Sequence, residues 1–527
     1  MSVGEQKYSV KPSKPSDARL NVERAGNGQC RFQGVAVSEQ SQPETSDNNV
    51  PELKDDDVID LVIIGGGSAG LIAAKGAANV GASVVMVEPN PPGGDCLWTG
   101  CVPSKRILSA AHAAHDMRNA ARHGIEAVEP KIDFAKVQAA IADSQEHISH
   151  HDSVETLEGL GAKVVPARGE FIGNGKIKAG DRVLKYRKAM IATGATPVVP
   201  GIPGLRESSP ITSDSVWELK ELPKRMVVIG GGAIGSELGQ AFGRLGSEVT
   251  LIEALPRILA FVGPQVAEVV GEQMRSEGMT VLEGSKVTSV EGSTTDGTAV
   301  VIVDEETRIP CDAILVAVGR RPNTADMGLE TVGVDLDERG HVVVSDTLQT
   351  SNSHIYAGGD VVGKAPFTHT AGHHGAAVMM NALFKIPRKI DHDKIPFAIF
   401  CDPEVASVGK IEGPEVEQHH FDYDQLDRAV TSGHPQGFID LFTEKGKIVG
   451  ATVVGVSAGE TINELTHRVN EGHKLRSVAG MIRPYPTYGE AIAKAANGTL
   501  GEEFFTDRNK NIAGKVLDLL GKYDSAS

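Results

Sequence analysis

Short apolar runs that end in glycines mark two places in this chain. Residues 59–64 are rich in β-branched side chains and are followed by three glycines, which is typical of a fully buried parallel strand. An alanine-rich helix is predicted over Ser68–Asn79, and a second strand over residues 82–88. The pattern therefore predicts a strand, a tight turn, a helix and a parallel strand in succession.

The same succession recurs in the middle of the chain. A strand is predicted over Arg225–Ile229, a helix over Ala233–Leu245 and another strand over residues 247–253. In both copies the last strand ends in a glutamate, Glu88 or Glu253, and this glutamate lies 23 residues after the first glycine of the turn. Two dinucleotide-binding halves in one chain explain such a repeat.

The two ends of the chain have different patterns. Residues 391–510 combine strand-like runs, such as 451–456, with helical stretches around 460–472 and 490–497, and they contain no glycine fingerprint. We expect an α+β domain there. Residues 1–57 are polar and have no sustained apolar period, which predicts a disordered extension. Acidic residues among the basic ones argue against a mitochondrial transit peptide.

The two glycine turns carry the pattern Gly-x-Gly-x-x-Gly. The first glycine allows the tight turn, the second lets the backbone approach a pyrophosphate, and the third allows close packing of helix and strand. The glutamate at the end of the second strand can accept hydrogen bonds from the ribose hydroxyls. The residues are Gly65, Gly67, Gly70 and Glu88 in the first copy, and Gly230, Gly232, Gly235 and Glu253 in the second.

The choice between NADH and NADPH follows from the second glutamate. Glu253 would repel a 2′-phosphate, for which an arginine is the usual partner. The nearest arginine is Arg257, four residues further on. We therefore expect NADH or NADPH as the nucleotide, with NADH favoured.

Two thiols follow a Gly-Gly turn. Cys96 and Cys101 precede a helix predicted over residues 102–118, and a helix N-terminus favours the thiolate form that attacks disulfides and binds soft metals. Structural zinc would need further ligands, and the sequence offers no second cysteine pair. Two buried, unreactive cysteines are the alternative at this point. No metal site is predicted.

Composition and charge exclude several classes of protein. The 527 residues carry 52 basic and 69 acidic side chains, a net charge of −17 that argues against nucleic-acid binding. No apolar run is long enough to span a membrane, and the N-terminus lacks a secretory pattern. Five cysteines fit a reducing compartment, so we expect a cytoplasmic location. The 60 glycines indicate many turns or close approaches of the backbone to ligands.

The segment from Cys96 to Lys105 resembles the redox-active disulfide of the class I pyridine nucleotide–disulfide oxidoreductases, and mercuric reductase-like flavoproteins are the nearest members. The resemblance covers residues 58–510 and further segments. These are Ala192-Thr193-Gly194, Gly319-Arg320-Arg321-Pro322-Asn323-Thr324, Tyr356-Ala357-Gly358-Gly359-Asp360 and residues 402–409. It implies an α/β fold with two Rossmann-like domains, for FAD and NAD(P), and a C-terminal α+β dimerisation domain.

The implied domains are an FAD-binding domain in two parts, residues 58–205 and 326–390, an NAD(P)-binding domain of residues 206–325, and a dimerisation domain of residues 391–510. A C-terminal tail of residues 511–527 follows. The protein would be a homodimer with shared active sites. Electrons would pass from NAD(P)H through FAD to the Cys96–Cys101 disulfide and on to a small-molecule or metal-ion acceptor.

The resemblance also assigns roles to residues. Cys101 would form the thiolate beside the flavin, Cys96 would meet the substrate, and Lys105 with Glu237 would lie beside the isoalloxazine ring. Cofactor contacts would also come from Gly94, Asp95, Gly169, Thr193, Gly194, Gly319, Asp360, Phe367, Thr368 and His369.

One departure from the family pattern affects the expected substrate. Dihydrolipoamide dehydrogenase and glutathione reductase carry a His-Pro-Thr-x-x-Glu motif whose histidine is the acid/base. Here Tyr485 replaces that histidine, and Glu490 retains the glutamate. A phenol with a pKa near ~10 is a poor base at neutral pH. Mercuric reductase has tyrosine there, but its C-terminal cysteine pair is absent from this sequence.

The hypothesis is thus a mercuric reductase-like flavoprotein. Dihydrolipoyl dehydrogenase activity and a flavin-based redox sensor remain as alternatives. Cys311 and Cys401 lie in apolar contexts and are interpreted as core residues. The histidine pairs at 150–151, 373–374 and 419–420 are interpreted as solvated or structural.

Overall fold

The computed structural model describes residues 57–524. The predicted disordered extension lies outside the described residues apart from its last residue, and Cys30 lies outside them too. The observed elements follow the chain in three groups.

The first group contains the first glycine turn and the thiol pair. Its strands are β1 (Val58–Ile64), β2 (Val84–Val87), β3 (Ala162–Val165), β4 (Gly169–Phe171), β5 (Lys176–Ala179), β6 (Arg182–Ile191) and β7 (Ala195–Pro197). Its helices are α1 (Ser68–Asn79), α2 (Gly94–Trp98), α3 (Cys101–Arg118), α4 (Phe134–Ser149) and α5 (Val154–Gly159).

The second group contains the second glycine turn. Its strands are β8 (Ile211–Thr212), β9 (Arg225–Ile229), β10 (Glu248–Glu253), β11 (Thr280–Glu283), β12 (Val287–Glu291), β13 (Val300–Val303), β14 (Thr307–Pro310), β15 (Ala313–Val316) and β16 (Arg320–Pro322). Its helices are α6 (Ala233–Leu245) and α7 (Pro264–Ser276).

The third group returns to the first sheet and then builds a separate one. Its strands are β17 (Ile355–Ala357), β18 (Phe397–Ile399), β19 (Val405–Gly409), β20 (Glu417–Asp422), β21 (Phe438–Glu444) and β22 (Lys447–Val454). Its helices are α8 (Thr368–Phe384), α9 (Asp427–Thr431), α10 (Ala458–Asn470), α11 (Leu475–Ala479), α12 (Glu490–Phe504) and α13 (Asp507–Asp524).

Two sheets have the parallel cores expected of dinucleotide-binding folds. In the first sheet the order is β3-β2-β1-β6-β5-β4, with β17 added parallel to β6. In the second sheet the order is β11-β10-β9-β15-β8, and all its pairs are parallel. The C-terminal sheet β18-β19-β22-β21-β20 is antiparallel and packs on helices. These sheets confirm the predicted α/β fold class.

Small residues explain how α1 comes so close to its neighbours. Ala69, Ala73 and Ala77 are buried in one hydrophobic cluster with residues of β1 and α8. A Cβ atom on Gly375 of α8 would lie only 2.2 Å from the carbonyl oxygen of Ala69. The alanine-rich pattern therefore reflects a helix packed tightly between the sheet and α8.

The predicted elements match the observed ones closely at the two glycine turns. The bounds of α1, α6 and β9 agree with the prediction, whereas β2 is shorter than residues 82–88 and covers only the four residues that pair with β1. Helix α3 begins at Cys101, one residue earlier than predicted, and Cys96 lies in its own short helix, α2.

None of the helices within residues 57–524 combines the length and the apolar character that a membrane crossing requires.

Candidate active site

The first glycine turn brings two loops into close contact at the start of α1. Gly65 has φ +114°, and a Cβ atom there would lie 2.2 Å from the carbonyl oxygen of Ala192. A Cβ atom on Gly70 would lie 2.0 Å from the carbonyl oxygen of Gly65. Gly94, with φ +59°, passes so close to Gly67 that its Cβ would lie 2.6 Å from the Gly67 Cα. Larger residues would push these loops apart.

A carboxylate closes this turn from the end of β2. Glu88 Oε2 accepts a hydrogen bond of 2.7 Å from the Gly66 amide, and its Oε1 accepts one of 2.9 Å from the Asn90 amide. Gly169, the first residue of β4, is placed against Ile64, because a Cβ atom there would lie 3.0 Å from the Ile64 side chain. The predicted residues around the first turn thus share one edge of the first sheet.

The second turn repeats this geometry. Gly230 has φ +106°, and a Cβ atom on Gly235 would lie 1.9 Å from the Gly230 carbonyl oxygen. Glu253 Oε2 accepts a 2.7 Å hydrogen bond from the Gly231 amide. A Cβ atom on Gly232 would meet no atom within 4 Å, which leaves open space before α6. The carboxylate-to-turn hydrogen bond in both copies explains the equal spacing of 23 residues seen in the sequence.

The two thiols lie on adjoining helices. Cys96 lies in α2 and Cys101 is the first residue of α3, and both are free thiols. The hydrogen bond from Cys96 is the main reason why the pKa of Cys101 falls below its usual range, although burial opposes it. The same bond and burial raise the pKa of Cys96. These opposite directions favour the thiolate form at Cys101 and the protonated form at Cys96.

Two further side chains support the Cys101 thiolate. Thr368 Oγ1 lies 3.1 Å from Cys101 Sγ, and its hydrogen bond also lowers the pKa of the thiol. The Lys105 ammonium, one helical turn after Cys101, adds electrostatic stabilisation. Lys105 Nζ lies 2.8 Å from Glu237 Oε2, and this glutamate side chain is only 8% exposed. The predicted Lys105–Glu237 pair is thus brought together next to the thiols.

Arg320 contacts acidic side chains that are distant from it in the sequence. It forms ion pairs with Asp95 and, at 3.5 Å, with Asp214, and it donates a 2.6 Å hydrogen bond to the Ala195 carbonyl. Burial raises the pKa of Asp95 to about 6, although Arg320 opposes this. Burial also raises the pKa of Asp360, which Arg320 again opposes.

The link between the first two groups of elements is held by reciprocal hydrogen bonds. Thr193 Oγ1 donates to the Asn323 carbonyl at 2.7 Å, and Asn323 Nδ2 donates to the Thr193 carbonyl at 2.9 Å. The Asn323 amide donates to the carbonyl of Gly194, which has φ +68°. Gly319, with φ +129°, precedes this ribbon of β7 and β16. Thr193, Gly194 and Gly319 therefore shape the crossover between the two sheets.

An aromatic stack lies at the start of α8, beside Thr368. The rings of Phe367 and His369 are stacked with centroids 5.5 Å apart, and Phe367 stacks on Phe397 at 5.7 Å. His369 Nε2 lies 2.7 Å from the Pro396 carbonyl oxygen. The stack fixes the N-terminal turn of α8 and with it the threonine that contacts Cys101.

Tyr485 and Glu490 lie apart from the thiols of their own chain. Tyr485 Oη donates a 2.6 Å hydrogen bond to Asp427 Oδ2, and this bond raises the pKa of the phenol. Glu490, the first residue of α12, has a buried Oε2 without a hydrogen-bond partner among the described residues. Across residues 57–524, no hydrogen bond or ion pair connects either residue to Cys96 or Cys101 within one chain.

The shape and polarity of the site fit a dinucleotide at each turn. Gly67 and Gly232 are the N-cap residues of α1 and α6. Neither has a side chain that could cap the helix, so the first amides of both helices are available to an anion. Arg320 Nε is buried and has no partner among the described residues, so it can donate to a bound group. Within the same residues, no cluster of three or more histidine, cysteine or acidic side chains could hold a metal ion.

Several residues of this site have no clear signal in the sequence. Arg320 appeared only as part of a family-like segment, and its acidic partners lie far away in the sequence. Asp427, the partner of Tyr485, has no motif around it. Phe400, whose ring covers Lys105, could have been noticed as an aromatic residue just before the predicted dimerisation segment at 402–409.

The buried cysteines were interpreted correctly. Cys311 and Cys401 are buried, and burial raises the pKa of both thiols. The members of the histidine pairs differ in their exposure to solvent. His374 and His419 are buried and hydrogen-bonded, which is a structural role, whereas His420 is partly exposed.

Comparisons with known proteins agree with this geometry. Residues 59–375 match the family described as pyridine nucleotide-disulphide oxidoreductase, and residues 395–496 match the dimerisation domain of the same family. Mercuric reductase from Staphylococcus aureus is 33% identical over 502 residues, which are 94% of this chain and 90% of the relative. Dihydrolipoyl dehydrogenase from Bacillus subtilis (strain 168) is 32% identical over 84% of this chain and 96% of the relative.

A solved structure shares the fold. The Cu(II) complex of the HOCl-induced flavoprotein disulfide reductase RclA from Escherichia coli has a TM-score of 0.75 and 25% identity. The match covers 84% of this chain and 99% of that one.

Proposed function

Because the chain belongs to the pyridine nucleotide-disulphide oxidoreductase family, we propose that it delivers electrons from NAD(P)H to a soft metal ion through Cys96 and Cys101. The family is FAD-dependent and uses NAD(P)H, and its dimerisation domain supports a homodimer. The acceptor, the nucleotide preference and the role of each residue are the parts of this proposal that need experiments.

The proposal assigns each nucleotide to one sheet. FAD binds residues 58–205 and 326–390, where the first turn supplies amides and Asp360 supplies a carboxylate. Arg320, from the adjoining residues 206–325, supplies a cation. NAD(P) binds residues 206–325 at the start of α6. Residues 391–510 form the dimer contact, and through it Tyr485 and Glu490 reach the thiol pair of the other subunit. That reach is taken from the family resemblance.

Bound FAD would supply the chemistry that connects hydride transfer from the nicotinamide to two-electron reduction of a disulfide. Two electrons and one proton, together equivalent to the hydride, convert the Cys96–Cys101 disulfide into a thiol at Cys96 and a thiolate at Cys101. Cys96, Thr368 and Lys105 stabilise this thiolate. Cys96 then releases its proton as a soft cation replaces it on sulfur. Two further electrons from a second NAD(P)H reduce a dithiolate-bound Hg(II) to Hg(0).

The single observation that favours a metal ion over a dithiol is the state of Tyr485. Oxidation of a dithiol needs a base that takes up the thiol protons. Tyr485 replaces the family histidine, donates a hydrogen bond to Asp427 and has a raised pKa, so it retains its proton at neutral pH. A metal ion that displaces thiol protons directly into water does not need this base. The Cu(II) complex of the E. coli relative supports Cu(II) as a second candidate acceptor.

Dihydrolipoyl dehydrogenase activity is the second candidate function. The 32% identity to the B. subtilis enzyme over 84% of this chain is the observation in its favour. In that case another residue would have to replace the missing histidine as a base.

An acceptor comparison with the purified flavoprotein tests the proposal. NADH oxidation is followed without oxygen in the presence of Hg(II) or Cu(II) with excess small thiol, and separately with lipoamide. We expect metal-stimulated oxidation that is lost in Cys96→Ser and Cys101→Ser and retained in Cys311→Ser, which alters a buried thiol elsewhere. Rapid lipoamide turnover without any response to the metals at any thiol concentration would refute the metal acceptor.

A further inference from the structure

Phe400 covers the cation of the active site. Its ring centroid lies 4.5 Å from Lys105 Nζ. A cation within about 6 Å of an aromatic centroid is attracted by the ring face. Phe400 lies between β18 and β19, at the entrance to the C-terminal sheet, whereas Lys105 lies on α3. The contact therefore joins the thiol-bearing helix to the start of the dimerisation region.

The backbone of Phe400 binds the same ion pair. The Phe400 amide donates a 2.8 Å hydrogen bond to Glu237 Oε1, while Glu237 Oε2 accepts from Lys105 Nζ at 2.8 Å. One carboxylate is thus shared by the lysine and by the residue whose ring lies over that lysine. The three residues form a closed unit from three separate segments of the chain.

Helix α6 fixes the position of this segment through two further residues. Gln240 Nε2 donates to the Asp402 carbonyl at 2.7 Å, and the Asp402 amide donates back to Gln240 Oε1 at 2.7 Å. Arg244, only 3% exposed, lies 2.7 Å from Asp402 Oδ2. Glu237, Gln240 and Arg244 follow each other on one face of α6. Helix α6 therefore fixes the backbone around residues 400–402, and this restricts the positions that the Phe400 ring can occupy.

Lys105 needs such restraint. Its side chain is 38% exposed, and a lysine has many rotamers that point to water. Both Lys105 and Glu237 act on Cys101: the lysine lowers the pKa of the thiol and the glutamate raises it. If Lys105 turned away, Glu237 would be left beside the thiol without its counter-charge.

We propose that Phe400 is a positioning residue, whose ring and amide together hold the Lys105 ammonium in place beside Cys101. This rests on the proposed function in that Cys101 is the thiolate that receives electrons. In this proposal the ring acts on Cys101 through Lys105. The groups that set the charge around Cys101 in one chain are Cys96, Thr368, Lys105 and Glu237.

The test compares Phe400→Leu with Phe400→Tyr in the FAD-loaded protein. The protein is reduced by two electrons without oxygen, and the long-wavelength thiolate-to-flavin absorption is titrated with pH. Loss of the ring should raise the midpoint of this titration by about 0.5 pH unit. Phe400→Tyr retains an aromatic face and should restore the wild-type midpoint. Phe442→Leu, which removes a buried ring from β21, controls for general loosening and should leave the midpoint unchanged.

A second ring-free variant and a second readout complete the design. Phe400→Met places a longer, unbranched and more flexible side chain there and replaces Phe400→Leu if that variant does not fold. The pH dependence of Cys101 alkylation, mapped by mass spectrometry, reports the same thiolate without relying on the flavin. If the wild type lacks the absorption band, the proposed role of Cys101 fails, and alkylation alone decides on Phe400. An unchanged midpoint in the ring-free variants would overturn the role of Phe400.

Discussion

Tyr485→His is expected to create a base for dithiol oxidation. In the present chain the phenol donates to Asp427 and its pKa lies above its ordinary value. An ordinary phenol, with a pKa near ~10, is about 0.3% deprotonated at pH 7.5, and the raised pKa of Tyr485 makes its deprotonated fraction smaller still. A histidine with a pKa near ~6.5 is about 90% in its basic form at that pH. The population of the basic form thus rises about 300-fold, and general bases contribute roughly 10²–10⁴-fold to proton-transfer rates.

We therefore expect the oxidation of dihydrolipoamide by NAD⁺ to become about 10²-fold faster in Tyr485→His. The assay follows NADH formation at saturating dihydrolipoamide. Tyr485→Phe is the matched control, since it removes the hydroxyl without supplying a base, and it should not gain this activity. Metal-stimulated NADH oxidation should persist in both variants. A Tyr485→His rate equal to that of the wild type, with FAD bound and the dimer intact, would show that the lack of a base at position 485 does not limit dithiol oxidation.

Three further predictions concern stability, pH and nucleotide choice. Arg244→Leu leaves the partly buried carboxylates of Glu277 and Asp402 without their shared cation and should lower the free energy of unfolding by about 3–5 kcal/mol. Arg308→Leu, at an exposed ion pair, should have a much smaller effect, and equal effects of the two variants in chemical denaturation would contradict this. Asp440 and Asp422 raise the pKa of His420 against the effect of burial, so this histidine stabilises the fold below pH ~6.5 and its contribution is lost as pH rises through the raised pKa. His420→Gln should remove that pH dependence from thermal melting curves, and an unchanged pH profile of the melting temperature would count against the role of His420. Glu253, whose carboxylate accepts hydrogen bonds from the Gly231 and Leu255 amides, should make NADH a better substrate than NADPH. Glu253→Ala should raise kcat/KM for NADPH about tenfold, equivalent to ~1.4 kcal/mol of repulsion, and a wild-type preference for NADPH would show the inference to be wrong.

The parts of the fold that could be predicted are those with local causes. The bounds of α1 and α6 were correct because glycines, alanines and β-branched runs determine strand, turn and helix within a few residues. The equal glycine-to-glutamate spacing was visible in the sequence, and the hydrogen bonds from Gly66 and Gly231 give its physical reason. Local patterns of this kind need no knowledge of distant contacts.

The charged and aromatic side chains that contact the site residues could not be predicted from local sequence patterns. Arg320 meets Asp95, Phe400 covers Lys105, and Asp427 accepts from Tyr485, yet each pair is far apart in sequence. No periodicity connects such residues, because only the packing of separate elements brings them together. The same holds for Thr368, which was assigned to the cofactor by resemblance and which the structure also places on Cys101.

We propose above all that Cys96 and Cys101 form a redox-active pair in which Cys101 is the thiolate beside the flavin. Spectra of single cysteine variants, recorded on FAD-loaded protein without oxygen, test this pairing through the long-wavelength thiolate-to-flavin band. We expect the band to appear in the wild type after addition of two electrons, to be present in Cys96→Ser before any reductant is added, and to be absent from Cys101→Ser under all conditions. A band that survives in Cys101→Ser and disappears in Cys96→Ser would show that the two thiols have the opposite roles.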